Sequence, residues 1–318
     1  MSTSGSDVSA CAMTIEKKPL LSVGLPTYNR AASLKRAIDS VLAQDYSNIE
    51  LIVSDNGSSD DTQSLCDGYS KQDARVRYIR QSANQGASFN FMEVLNRSKS
   101  PFFMWLGDDD WMGPGYLTSC ERFLADNPDY VLVSGRGRYL DGDRIAHEER
   151  IIVLEDPDPA RRVLAYFKEI ELNTLFYGVM RRDLLSRVAI RWFIGSDWLF
   201  LAEAAFVGKI KTLDDITLYR NIGGESQDLE QHSLNAGLSK FRARNIHLLI
   251  AASAFADIAY KSPVYASLPG MARIALGTKV AVQIIKRFYL PLKRQSVRAR
   301  LRLRTRFREG WEAFHSRS

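Results

Sequence analysis

The segment Pro101-Phe102-Phe103-Met104-Trp105-Leu106-Gly107-Asp108-Asp109-Asp110 starts as an unbroken apolar run and ends in three consecutive carboxylates. A continuous apolar run suits a strand buried on both faces of a sheet. In open α/β sheets, functional residues gather where the strands end. Three adjacent carboxylates repel, and in low-dielectric surroundings each raises the pKa of the others. Water or a cation must compensate. One reading is an exposed acidic turn that caps a helix near Pro114. The other is an oxygen site for a hard cation, since Mg²⁺ takes one or two carboxylates plus substrate phosphates. Placement after a buried strand favours the second.

The flanking sequence repeats the pattern. Leu20 to Leu25 predicts a strand ended by Pro26, and Ser33 is placed to cap a helix with Leu34, Ala37, Ile38, Val41 and Leu42 on one face. Ile49 to Val53 predicts a second strand, closed by the turn-rich loop Ser54 to Thr62, and Val76 to Ile79 a third. A helix around Phe89 to Leu95 precedes the apolar run. Strand and helix alternate, so the fold class is α/β, with a mostly parallel sheet flanked by helices. The loops after strands one, two and four should meet at one sheet edge. Asp55, in the second of them, reads either as an Asx-turn or as an acceptor for a nucleobase N–H. Tyr28 reads as rim packing or as a face for that base.

Beyond Trp111 the periodicity predicts a helix over 116–124, strands at 130–134 and 151–154, and a helix from Pro159 to about Ile170. It then predicts a strand over 175–180, a helix over 197–205, strands at 210–213 and 216–219, and only helices from about Gln227. Residues 1–19 read as a disordered terminus, 20–225 as the α/β domain, and 226–318 as a helical C-terminal extension with a basic tail.

With 318 residues, 45% hydrophobic and 25% charged, the chain is neither disordered, collagenous nor multi-spanning. Its longest apolar stretch, Leu248 to Ala256, falls short of the roughly 20 residues a span needs. Cys11, Cys66 and Cys120 show no metal-binding spacing and fit a reducing cytoplasm. The net charge of +6 is uneven: from Lys286 to Ser318 eleven Lys/Arg face only Glu309 and Glu312. The tail reads either as a solvated helix or as an anchor on an anionic membrane surface. A nucleic-acid binder would leave the converging carboxylates unexplained, so no nucleic acid is expected as a partner. No phosphate loop or dinucleotide fingerprint is present.

Four motifs in order, Leu21 to Arg30, Val53 to Thr62, Asn84-Gln85-Gly86 and Trp105 to Asp110, resemble those of family 2 glycosyltransferases of the GT-A fold. The resemblance covers about residues 18–225. It implies a nucleotide-diphosphate sugar donor held by Pro26, Thr27, Tyr28, Asn29, Asp55, Asn84, Gly86 and Asp108. It implies Mg²⁺ or Mn²⁺ on Asp109 and Asp110. Gly107 stands where many members have another aspartate. Ile194-Gly195-Ser196-Asp197-Trp198 resembles the acceptor-side motif, which makes Asp197 the implied base, although Ser196 or Asp197 could equally cap a helix. Leu218-Tyr219-Arg220 with Gly223-Gly224-Glu225-Ser226 resembles the motif that closes over the donor. The implied activity is inverting transfer to a saccharide or lipid-linked acceptor, in cell-surface polysaccharide or lipopolysaccharide synthesis, in the cytoplasm or peripherally on the inner face of the membrane. The alternatives are a nucleotidyltransferase acting on a sugar phosphate and a non-catalytic relative that binds nucleic acid or membrane.

Overall fold

The computed structural model describes residues 20–291, apart from 189, 192 and 223–228. Its first half is β1 (Leu21–Thr27), α1 (Ala31–Leu42), β2 (Ile49–Asp55), α2 (Thr62–Gln72), β3 (Val76–Arg80), α3 (Ala87–Arg97) and β4 (Phe102–Trp105). Every residue of β1, β2 and β4 is buried, as apolar strands covered on both faces must be. Next come β5 (Trp111–Met112), α4 (Tyr116–Asp126), β6 (Tyr130–Asp141), β7 (Arg144–Glu148), β8 (Val153–Leu154), α5 (Pro159–Glu169), a 3₁₀ turn (Thr174–Tyr177), β9 (Val179–Arg181), α6 (Leu184–Arg187), α7 (Ser196–Val207) and β10 (Lys209–Asn221). The last described helices are α8 (Leu229–Asn235), α9 (Lys240–Arg244), α10 (Ile246–Ala256) and α11 (Gly270–Ile284).

The strands form one sheet in the order β3-β2-β1-β4-β9-β6-β10-β5, with β7 beside β6 and β8 beside β10. Strands β1 to β4 run parallel, as do β6 and β10, while β9 and β5 run against their neighbours. Chain order reverses between β1 and β4, and such a switch point opens a crevice at the carboxyl ends of its strands. Helices α1, α2 and α4 cover one face, and α3, α5 and α7 the other. Helices α10 and α11 pack on each other and extend that second core through Ile250, Leu276 and Val280, with α11 against α5.

Several expectations need correction. Helix α1 starts at Ala31, two residues before Ser33, whose hydroxyl donates to the Arg30 carbonyl instead of capping. The cap comes from another loop: Ala31 N donates to Asp60 Oδ2 at 3.0 Å. The strand expected over 175–180 divides into the 3₁₀ turn and β9. The two strands expected within 210–219 are one, β10, with an irregularity between Leu213 and Thr217 that absorbs Asp214 and Asp215. Strand β6 runs on to Asp141 and returns through Gly142 as β7, a hairpin the apolar pattern did not announce.

Candidate active site

The carboxyl ends of β1 and β4 meet side by side. Thr27 Oγ1 donates to Asp108 Oδ2 at 2.8 Å, and Arg30 reaches Asp109 Oδ2 at 3.3 Å and Asp108 Oδ1 at 3.8 Å. The next loop is tied to the first. Asn29, with φ 53°, gives its N–H to Ser58 Oγ and takes the Ser59 N–H on its Oδ1. Asn56 donates to Asn84 Oδ1 and the Gly86 carbonyl, joining the third motif. Asn90, which the sequence reading missed, spans β1 and β2 through the carbonyls of Thr27 and Ser54. The predicted convergence of three loops is therefore present.

The individual carboxylates differ. Asp109 lines a cleft of about 1000 Å³ together with Arg30, Asp108, Asp110, Asp197 and Arg220. Burial pushes Asp108 up to about 6, against the Thr27 hydrogen bond, and neighbouring Asp109 adds to the rise. Asp110 turns inward, where Arg220 Nε meets both its oxygens at 3.2 and 3.0 Å. Two features let it do so. Strand β5 pairs with β10, which draws the end of the triple aspartate toward Arg220. Gly107 leaves room, since a Cβ there would stand 2.7 Å from Asp110 Oδ2. Arg220 Nη1 also donates to Tyr139 OH at 3.1 Å, and its guanidinium lies 4.5 Å from the Tyr177 ring centre.

Asp55 has no exposed surface. Its Oδ1 accepts the Ser58 N–H and its Oδ2 the Tyr78 hydroxyl, both at 2.8 Å, with Arg80 Nε 3.3 Å away. The Ser58 contact is that of an Asx-turn, one of the two readings of Asp55. Tyr28 is 42% exposed on the rim, while Pro26 and Thr27 are buried in β1. Asn84 and Gly86 belong to the loop that Asn56 holds, Gly86 at φ 89°.

Asp197 lies in the first turn of α7 and on the cleft wall. The helix starts on Gly195, at φ 86°, where a Cβ would collide with Ile250. Burial raises the Asp197 pKa, opposed first by the hydrogen bond that Asn173 Nδ2 donates to its Oδ2. Neither Asn173 nor Tyr139 carried a sequence signal, for each sits in a stretch read only as strand or loop. Beyond Asp197 the cleft walls turn apolar, with Phe193, Trp198, His247 and Phe288. The His247 and Phe288 rings stack with centres 5.7 Å apart, and Trp198 tilts against Phe288 at 4.8 Å. Phe288 belongs to the C-terminal helices, so these finish the cleft. Gly223 to Ser226 of the expected closing motif lie outside the described residues.

Among the described residues no three His, Cys, Asp or Glu side chains form a ready cation cage. Asp108 and Asp109 nevertheless present carboxylate oxygens to the cleft, the number a Mg²⁺-like ion needs when substrate phosphates complete its shell. Asp110, given to Arg220, fits that role less well than expected.

The model of Glycosyl transferase family 2 matches residues 22–189. A Campylobacter jejuni GalNAc(5)-diNAcBac-PP-undecaprenol beta-1,3-glucosyltransferase is 40% identical over 102 residues, 32% of this chain and 33% of that one. The matched stretch thus spans about a third of that relative's length. An uncharacterized glycosyltransferase of Nostoc is 28% identical over 233 residues, 67% of this chain and 68% of that one. Among solved structures, Staphylococcus aureus TarS 1-349 in complex with UDP-GlcNAc superposes with a TM-score of 0.60 at 18% identity, covering 84% of this chain and 73% of that one. The mannosyltransferase PcManGT of Pyrobaculum calidifontis, in complex with GDP-Man and Mn2+, gives 0.50 at 17% identity, covering 85% and 87%. These structural likenesses establish the fold.

Proposed function

The chain belongs to glycosyl transferase family 2, and on that premise we propose that it moves a sugar from a nucleoside-diphosphate donor to a hydroxyl of a saccharide or lipid-linked acceptor, with inversion. The observation that carries this reading is one cleft walled by Asp108 and Asp109 at the switch point and by a half-buried Asp197. Asp197 accepts the proton of the acceptor hydroxyl. The hydroxyl oxygen attacks the anomeric carbon, the bond from that carbon to the diphosphate oxygen breaks, and the nucleoside diphosphate leaves from the opposite face. One base suffices because no covalent intermediate forms, and its help is worth about 10²–10⁴-fold. A Mg²⁺ or Mn²⁺ ion, when bound by Asp109 with Asp108, would offset the charge gathering on the leaving diphosphate. Arg30, which touches both carboxylates, is placed to follow the same charge. Tyr28 and the loops pinned by Asn29 and Asn56 would seat the nucleotide. The geometry supports a loop-fixing role for Asp55 and an Arg220-holding role for Asp110.

The test is Mn²⁺-dependent hydrolysis of a panel of nucleotide sugars, with EDTA as control. Release of nucleoside diphosphate is expected, with a loss of about 10²–10⁴-fold in Asp197→Asn. Pyrophosphate release would mean nucleotidyl transfer instead, and equal rates in EDTA would remove the cation.

We further propose that the C-terminal region rests on an anionic membrane surface, which suits a lipid-linked acceptor in the synthesis of cell-surface polysaccharide or lipopolysaccharide. No helix among the described residues is long and apolar enough to cross a membrane. Residues 292–318 of the tail lie outside the described residues. Its described approach, α11, exposes Met271 and Val282, with Lys279 and Lys286 lining a groove beside Val282. Co-sedimentation with phosphatidylglycerol vesicles should drop on deletion of residues 292–318; unchanged recovery refutes the tail's part.

A further inference from the structure

We infer that Asn173 is the positioning residue for Asp197, aiming its carboxylate into the cleft with an amide whose orientation Tyr166 fixes. This rests on the reading of Asp197 as the proton acceptor. Asn173 Nδ2 donates to Asp197 Oδ2, while Tyr166 OH donates to Asn173 Oδ1 at 3.0 Å. An amide has one accepting and one donating end. The Tyr166 hydroxyl claims the accepting end, so the donating end must face the carboxylate. Tyr166 is itself fully buried in the α5 core, and Asn173 is nearly so.

The backbone at Asn173 is held in a conformation most residues avoid. Its φ of 66° and ψ of 35° are left-handed, and Asn29 is the other non-glycine residue with positive φ among the described residues. Both stand at the cleft-forming loops. Outside glycine, the left-handed region is costly, less so for Asn, and persists where the surroundings over-determine it. Here they do. Glu149 Oε1 accepts the Leu172 N–H at 2.8 Å, and Tyr139 OH meets Thr174 Oγ1 at 3.1 Å. Tyr139 in turn accepts from Arg220, which holds Asp110. One chain of contacts therefore runs from the triple aspartate to the turn that carries Asn173.

The choice of an amide suits the chemistry. An arginine in its place would pair with Asp197 and depress its basicity. A neutral donor orients the carboxylate and leaves it able to take a proton. Among the described residues, Arg220 from β10, Tyr166 from α5 and Tyr177 from the 3₁₀ turn interact electrostatically with Asp197. Arg220 is the charged one, and it is already committed to Asp110.

The experiment is a ¹³C NMR titration of aspartate side-chain carboxyl carbons in the full chain, with the Asp197 signal assigned through Asp197→Asn. Turnover is read in parallel as Mn²⁺-dependent hydrolysis of UDP-GlcNAc, UDP-glucose and GDP-mannose. Asn173→Gly keeps the left-handed turn, since glycine enters it freely, and deletes the amide. Its Asp197 midpoint should move to higher pH, and its kcat should fall by about 10- to 100-fold with donor KM unchanged. Asn173→Asp should move the midpoint further the same way, because it adds a like charge. Tyr166→Phe should move it least. If Asp197→Asn is inactive while both Asn173 variants keep the wild-type midpoint and turnover, the inference is overturned and the base assignment survives. If Asp197→Asn keeps full turnover, the base assignment falls and takes the inference with it.

Discussion

Asp55 and Asp109 are the same residue type just past the apolar part of β2 and β4, the two strands that flank β1, yet they sit in opposite surroundings. Asp55 is sealed, with Ser58, Tyr78 and Arg80 around its oxygens. Asp109 faces the cleft with the half-buried Arg30 beside it. The difference lies in the course of the chain beyond each strand. After β2 the chain turns within three residues, so the first backbone N–H to come round is taken by Asp55 itself. After β4 the chain must cross to β10 to form β5, and Gly107 lets Asp110 rather than Asp109 make the inward contact. Strand-end position thus places a carboxylate at the site, while the path of the next few residues decides whether it faces solvent or core.

Substitution should separate the two roles. Asp109→Asn should cut Mn²⁺-dependent donor hydrolysis by about 10²–10³-fold, the size of losing one electrostatic contact at a reacting centre. Its thermal melt should stay close to wild type, since the side chain is partly exposed. Asp55→Ala should do the reverse. Removing the buried carboxylate strands the Ser58 N–H and the Tyr78 hydroxyl, at about 1–3 kcal/mol for each group left unsatisfied, so denaturant unfolding should shift while the folded fraction keeps its turnover. A stable Asp55→Ala protein that no longer binds nucleotide would break the comparison and restore Asp55 as a base-binding residue. Tyr78→Phe is the gentler probe. It deletes one hydrogen bond to a charged group, worth about 2 kcal/mol, and should lower stability without touching catalysis.

The strands and helices that lead to these aspartates could be read in advance. β1, β2, β4 and α1 carry apolar patterns whose periods are set by burial alone, and burial acts residue by residue. The parallel sheet and the meeting of three loops are consequences of those patterns. What sequence could not supply is pairing across long separations. Arg220 and Asp110 are 110 residues apart, and Asn173 stands 24 from Asp197. Neither pair leaves a periodic trace, because a hydrogen bond needs one donor and one acceptor and no repeat. The same holds for Phe288, which reaches the cleft because α11 folds back onto α10 and α5. The start of α1 was misplaced for a related reason: its cap, Asp60, arrives from the next loop.

A third carboxylate, this one buried, extends the contrast between a satisfied group and a pressed one. Asp257, just after α10, and Glu203 of α7 both sit 3.0 Å from a single arginine, Arg191, and both are almost fully buried. Two buried carboxylates thus share Arg191, with Lys261 also favouring the Asp257 charge. Burial pushes Asp257 up to about 7, against Arg191, and the Glu203 charge adds to the rise. In the folded protein Asp257 therefore keeps its proton between about pH 4 and 7, where the unfolded chain has released it. The folded state binds more protons in that window, so stability falls as pH rises through it and levels off above. The proton belongs to the Asp257–Glu203 pair rather than to Asp257 alone, so both carboxylates share in this decline. Melting temperatures measured from pH 5 to pH 8 should decline in the wild type. In Asp257→Asn, which leaves Glu203 and Arg191 as a simple pair, that decline should flatten. A wild-type profile that instead rises across the window would mean the cluster holds both charges comfortably, as Asp55 does with its three partners.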